Sequence, residues 1–363
     1  MAILPRYIPP DFTRAELATA PAVTLGQAPR DGVLPQNFHA TSNHPEYIHL
    51  GNGRWLLAPE SRMDAALLLV DGSLQAVEPR LVKQGDYVVL GRTEDGEEGI
   101  YVHTAGFQPA DETPHDKFSF RSRGTRETPF SRSYDELYEI LRHDRDRGYI
   151  VWVLGPAVAF DRDSRNAMTG LIEAGFCHAL LAGNALATHD LEAAIFRTGL
   201  GQDIYTQAHL PGGHYHHLDV INEVRLRGSM AQTIADLALQ DGIIRACLNH
   251  QVPLVLTGSI RDDGPLPEVI TDSCKAQDAM RFHARRATTV IAMATQLHAI
   301  AAGNMVPNYR ILADGTVRPV FFYIVDMSEF GADKLANRGT GQSRAILTNV
   351  QDFIVNLWHN LKG

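Results

Sequence analysis

Pro253-Leu254-Val255-Leu256-Thr257-Gly258-Ser259-Ile260-Arg261-Asp262-Asp263-Gly264-Pro265-Leu266-Pro267 is the stretch around which the chain is organised. It opens as a short apolar run ended by glycine, the signature of a strand buried on both faces of a parallel sheet. Three charged residues, Arg261, Asp262 and Asp263, then crowd against a Gly264-Pro265 turn. Pro267 is expected to open a helix, with Glu268 and Asp272 in its first turns, where acids complement the helix dipole. Ligands in open α/β sheets bind beyond the carboxyl ends of the strands, which is where these charges fall. The plainer alternative is a solvated turn in which Arg261 pairs with a neighbouring aspartate.

Working outward, the same pattern repeats. Apolar runs at Tyr149–Leu154, Ala179–Ala182, Thr289–Met293, Val320–Val325 and Ala345–Thr348 alternate with helical periodicity at about 134–147, 164–174, 186–196, 217–249, 329–337 and 350–361. Alternation of this kind argues a Rossmann-like, doubly wound, mostly parallel α/β sheet over residues 134–363. Residues 36–104 differ: short apolar runs such as Tyr47–Leu50, Ala66–Val70, Tyr87–Leu90 and Ile100–Val102 are separated by Gly and Asp turns. They read as a smaller antiparallel β domain. Residues 1–35 read as an extended arm, and the polar, proline-bearing residues 105–133 as a linker.

The chain has 363 residues, 44% hydrophobic and 21% charged, with a formal net charge of −9. No basic footprint points to nucleic acid. Cys177, Cys247 and Cys274 are far apart, so neither a disulfide framework nor a thiolate metal site is indicated. The N-terminal residues lack a signal-peptide pattern, and no apolar run is long enough to span a bilayer. A cytoplasmic enzyme is the expectation.

Strand after strand in the second domain ends in small or polar residues: Gly155, Gly183-Asn184-Ala185, Gly258-Ser259, Thr295-Gln296, Asp326 and Asn349. Glycine lets backbone approach a pyrophosphate, and helix N-termini favour its charge. An acid directly after a strand, as at Asp326, is the usual acceptor for a ribose hydroxyl pair. Turn residues alone explain any one of these positions, but the series less comfortably. Gly339-Thr340-Gly341-Gln342 precedes a strand, so it lacks the strand–turn–helix context of a dinucleotide fingerprint. His214-Tyr215-His216-His217 admits three readings: a metal site completed by Asp219 or Asp190, ordinary polar residues at a helix start, or histidines facing a substrate. His189-Asp190-Leu191-Glu192 reads either as acids complementing a helix dipole or as carboxylates for a cationic substrate.

The runs Leu181–Glu192, Gly212-Gly213-His214 with His216-His217, Gly258–Pro267, and Leu297-His298 with Gly303-Asn304-Met305 resemble the archaeal and cyanobacterial type of ornithine cyclodeaminase, the LOR/SDH conserved-region family. The resemblance extends into the β domain through Leu34–Phe38 and Thr41–Pro45. It implies a Rossmann-like domain of the deoxyhypusine-synthase type with tightly held NAD, and a homo-oligomer is expected. The family's cofactor contacts carry over to Asn184, Ala185, Asp262, Thr295, Gln296, Leu297, His298, Asp326, Asn349 and Val350. Asn349 departs from the family's usual Thr-Asp-Val, which removes a charge at that contact. Asn308–Arg318 reads as an insertion.

The implied chemistry is redox-neutral, with no metal expected. A hydride passes from Cα of L-ornithine to NAD, the side-chain amine closes on the resulting imine, ammonia leaves, and the hydride returns to give L-proline. Residue chemistry suggests the remaining roles. Arg261 offers a planar fork to the substrate carboxylate. Asp263 is the candidate amine partner, with Asp190 and Glu192 in reserve, and His217 or His298 would move the proton. Two rivals share the fold. A deoxyhypusine-synthase-like transferase needs a nucleophilic lysine, and only Lys275 and Lys334 lie near strand-end motifs. A non-catalytic NAD-binding module would leave every diamino acid unchanged.

Overall fold

The structure, a computed structural model, describes residues 4–108, 131–262, 264–328 and 342–362. Its larger part is a six-stranded sheet with the spatial order Leu254–Thr257, Ala179–Gly183, Ile150–Leu154, Thr289–Met293, Phe321–Asp326 and Gln342–Leu347. In chain order this is 3-2-1-4-5-6, and every pairing is parallel. The order reverses between Ile150–Leu154 and Thr289–Met293, which defines a topological switch point.

Side chains alternate across each strand and build a core on both faces. Trp152, Leu154, Leu180, Ile291, Met293 and Tyr323 pack one way, with Leu171, Leu191 and Phe353 of the covering helices. Val151, Val153, Leu181, Val290, Phe322 and Ile324 pack the other way, with Met280, Ala284 and Ala302. Burial on both faces is why these strands are apolar throughout. The helices that follow them are capped by side chains: Asp161 accepts from the Asp163 and Ser164 N–H groups, and Asn349 from those of Gln351 and Asp352.

The opening stretch is a strand only to Thr257. Pro267 opens no helix. Ile270 instead bonds Leu256 O through its own N–H and accepts from Gly258 N, so the chain stays extended beside the strand end. The helix begins at Ser273, with the side chain of Asp272 accepting from Lys275 N. The smaller part holds a four-stranded sheet, Thr24–Gln27, Tyr87–Leu90, Ala66–Val70 and Ser73–Val77, and a three-stranded one around Glu46–His49. Thr24–Gln27 falls in the segment expected to be an arm, yet it pairs antiparallel with Tyr87–Leu90 as an edge strand. The stretch expected to be an insertion holds a hairpin, Tyr309–Ile311 with Val317–Pro319. Its Tyr309 hydroxyl donates to Ala58 O and lies 3.1 Å from Ser61 Oγ, which joins the two parts. Most of the expected linker, the helix expected near 329–337 and the Gly339-Thr340-Gly341 motif lie outside the described residues.

Candidate active site

Strand register puts the carboxyl ends of the sheet in one row. Leu154 pairs with Ala182 and Met293, Gly183 with Thr257, Met293 with Val325, and Asp326 with Leu347. The row therefore reads Thr257, Gly183, Gly155, Ala294, Asp326, Leu347, and spans roughly 24 Å at the usual strand spacing. Helices begin just beyond it at Asn184, Leu297 and Val350; the first two have no side-chain cap, so their first N–H groups are left for a ligand, whereas Asn349 caps the third. Two glycines keep the row closely packed. A Cβ at Gly155 would lie 1.7 Å from Ala294 O, and one at Gly183 would lie 2.8 Å from His298 Cε1.

His298 stands at the centre of this edge. Its Nε2 is 2.7 Å from Thr257 Oγ1 and its Nδ1 is 3.2 Å from Thr295 Oγ1. Burial lowers its pKa, and the nearby Asp262 charge only partly opposes this. Asp262 folds back to accept from Ser259 N at 2.8 Å. Asn184 is buried, and its Oδ1 accepts from Leu266 N at 3.0 Å, which fastens the Gly258–Pro267 loop to the helix start. Gln296 and Leu297 are exposed at the next helix start, Leu297 by 63%. Asp326 ends its strand half-buried, with Oδ1 accepting from Ser328 N. Asn349 Oδ1 is occupied as the N-cap of the helix that begins at Val350. Asn349 therefore acts here through backbone capping, a role that an aspartate at this position would fill as well.

The residues proposed for catalysis separate. Arg261 is exposed beside the row, and among the described residues no ion pair holds its guanidinium. Asp263 lies outside the described residues. Asp190 is fully buried away from the crevice: its Oδ1 accepts from Arg165 Nε at 2.6 Å and Ile243 N at 3.0 Å, and its Oδ2 from Ile244 N at 2.8 Å. That is a structural ion pair capping the Ile243–Asn249 helix, and a carboxylate so engaged is not available to a substrate amine. Glu192 faces another way, with Oε2 2.8 Å from His189 Nδ1. His217 joins these two rather than Asp190 or Asp219: one ligand-type atom from each of His189, Glu192 and His217 lies within 4.8 Å of the others. Thr257 and His189 were not singled out by sequence as functional side chains. For His189 the signal was present in the i, i+3 spacing of His189 and Glu192, which puts both on one helix face.

A 3-2-1-4-5-6 parallel sheet with helix starts, glycines and an acid along its carboxyl edge defines an enzyme of the dinucleotide-binding Rossmann class. The family profile described as arginine dihydrolase ArgZ-like, C-terminal, Rossmann fold, matches residues 135–357. An ornithine cyclodeaminase of Archaeoglobus fulgidus is 38% identical over 360 residues, which cover 97% of this chain and 80% of the relative. The one from Methanopyrus kandleri is 37% identical, over 94% of this chain and 78% of its own length. Among solved structures, a conserved LOR/SDH protein from Methanococcus maripaludis S2 superposes with a TM-score of 0.82 at 33% identity, over 94% of this chain and 98% of its own. The ternary complex of AgrE with ornithine and NAD+ superposes with a TM-score of 0.58 at 30% identity, over 95% of this chain and 46% of AgrE. The chain belongs to the ornithine cyclodeaminase family of the archaeal and cyanobacterial type.

Proposed function

We propose that the protein is an NAD-dependent cyclodeaminase that converts L-ornithine to L-proline and ammonia without net oxidation. The observation that carries this reading is the single row from Thr257 to Leu347, in a chain whose relative AgrE binds ornithine and NAD+ together. The residues fit a dinucleotide: close-packed glycines at Gly155 and Gly183, three helix starts, and a carboxylate directly after a strand at Asp326. NAD, when bound, supplies a hydride acceptor that returns the hydride to the same substrate carbon.

Asp326 takes the adenosine ribose hydroxyls, with the Val350 helix start beside it. Thr295, Gln296, Leu297 and His298 carry the middle of the dinucleotide along the Leu297 helix start. Asn184, Ala185 and Asp262 line the other end, where the reacting carbon meets the cofactor. Arg261, exposed at that end, holds the substrate carboxylate with its planar fork, and Asp263 meets an amine. His298, kept neutral by burial, orients the site through its two threonines.

The test is incubation of the purified protein with NAD and each of L-ornithine, L-lysine, L-arginine and L-2,4-diaminobutyrate, following ammonia. Release from ornithine in excess of the others, with no net NADH, is the expected result. NADH accumulating with product, or ammonia from none of them, contradicts the reading.

A further inference from the structure

On the helix Asn184–Phe196, Ala185, His189 and Glu192 follow at i, i+4 and i+7 and share one face. Ala185 is one of the positions assigned above to the cofactor, and His189 lies about 6 Å further along the axis. Glu192 is fully buried, and four donors converge on it: His189 Nδ1 and Thr198 Oγ1, each at 2.8 Å, Gly201 N at 3.0 Å and Leu200 N at 3.3 Å. Burial pushes its carboxyl up, but hydrogen bonds from His189, Gly201 and Thr198 outweigh this and hold it below the usual range. The backbone donors sit in the turn of a short hairpin, Thr198–Gly199 with Gln202–Asp203, which is itself locked. A Cβ on Gly213 would lie 2.3 Å from Gly201 O, so the start of the Gly213–Arg227 helix touches it backbone to backbone.

An ionised Glu192 keeps the His189 proton on Nδ1, which leaves Nε2 as the acceptor. The His217 ring lies tilted beside His189 with centroids 5.0 Å apart, and the Phe160 ring meets His189 edge-on, also at 5.0 Å. The titratable groups around His189 are thus Glu192 on its own helix and His217 on the next, with His216 one step away through Thr198. Zinc takes at least three protein ligands. Here the carboxylate already carries four donors, so only two imidazoles remain.

We propose that Glu192, His189 and His217 form the proton relay of the cyclodeaminase reaction, with Glu192 and His189 as positioning residues for His217. This rests on the function proposed above, which supplies NAD as the hydride acceptor. The ornithine cation becomes neutral proline and ammonium, so protons are conserved overall but must be held between steps. The α-ammonium gives up one proton before the hydride leaves Cα. The side-chain ammonium gives up another before its nitrogen bonds to Cα. The ring nitrogen of the aminal gives up a third. One proton passes to the departing amine as the Cα–N bond breaks, one to the released ammonia to make ammonium, and one to the ring nitrogen once the hydride has returned. His217 takes the protons from the amines, His189 Nε2 accepts the one handed on, and the Glu192 charge stabilises the imidazolium.

Two readouts test this. Imidazole 15N spectra of the histidine-labelled resting protein, with His189 assigned by its absence in His189→Asn, should show His189 as the Nδ1–H tautomer, lost in Glu192→Gln. In turnover, His189→Asn and Glu192→Gln should lower kcat for ammonia release about 100-fold. KM for ornithine and the calorimetric affinity for NAD should stay within about 3-fold, and Glu192→Asp should recover part of the rate. Should Glu192→Gln fail to fold, His217→Gln carries the kinetic arm. An Nε2–H tautomer for His189, variants with wild-type kcat, or resonances displaced by one equivalent of zinc chloride would each overturn the relay. Absence of turnover in the wild-type protein would refute the parent reading instead, while the tautomer would still decide whether Glu192 positions His189.

Discussion

Thr257 Oγ1 lies 2.7 Å from His298 Nε2, tying the end of one strand to the helix that follows another. Since burial lowers the pKa of His298, the unfolded chain binds more protons than the folded one between the depressed folded value and the ordinary histidine value. Stability from this group is therefore complete above about pH 6.5 and declines as pH falls from there toward the depressed folded value. Thr257→Val keeps the shape but removes the hydroxyl, and should cost about 1–2 kcal/mol in urea titration at pH 7.5. In His298→Gln, the wild-type decline in urea midpoint from pH 6.5 to 5.5 should shrink.

Gly155→Ala would force the first and fourth strands of the chain order apart, because its Cβ would meet Ala294 O and strain the 2.9 Å bond from Gly155 N to Met293 O. A loss of about 1–3 kcal/mol by urea titration is expected. Weaker NAD binding by calorimetry should accompany it, since the switch point itself moves.

Asp190→Asn and Asp326→Ala should act in opposite ways. Asp190 holds a buried Arg165, so losing its charge should cost about 3–5 kcal/mol of stability. Asp326→Ala should leave the thermal midpoint nearly unchanged and weaken NAD binding by about 1–3 kcal/mol. Calorimetry and thermal melts of the same two proteins distinguish the roles.

Asp144 anchors the helix Ser131–Arg147 beneath the sheet. It accepts from Arg318 at 2.8 and 3.2 Å and from Thr288 and Thr289 at 2.6 and 2.8 Å. Burial alone would raise its pKa, but the Arg318 charge and these bonds hold it below the usual carboxylate range. Its contribution is therefore present above about pH 4 and lost as pH falls through the lower folded value. Asp144→Asn should unfold at lower urea than wild type at pH 7, with the gap closing in acid melts.

The parallel sheet was legible because its strands are buried on both faces, so runs such as Ile150–Leu154 are apolar throughout and end in glycine. Thr24–Gln27 was not, since an edge strand with one apolar residue, Leu25, carries no alternation to read. Pro267 mimics a helix start, but the pairing of Ile270 with Leu256 and Gly258 keeps the chain extended to Asp272. Asp190 and Glu192 look alike in sequence, two residues apart in one helix. They point to different faces, and the partner that distinguishes them, Arg165, lies 25 residues away. The strand-end row followed from pattern alone, whereas the roles of the carboxylates depended on tertiary contacts.

The most direct measurement is mass spectrometry of the product formed from L-ornithine deuterated at Cα, incubated with the protein and unlabelled NAD in ordinary water. The account predicts L-proline that keeps the deuterium at Cα, one ammonia per proline and no net NADH. Proline stripped of its label, NADH accumulating with product, or unchanged ornithine would contradict it.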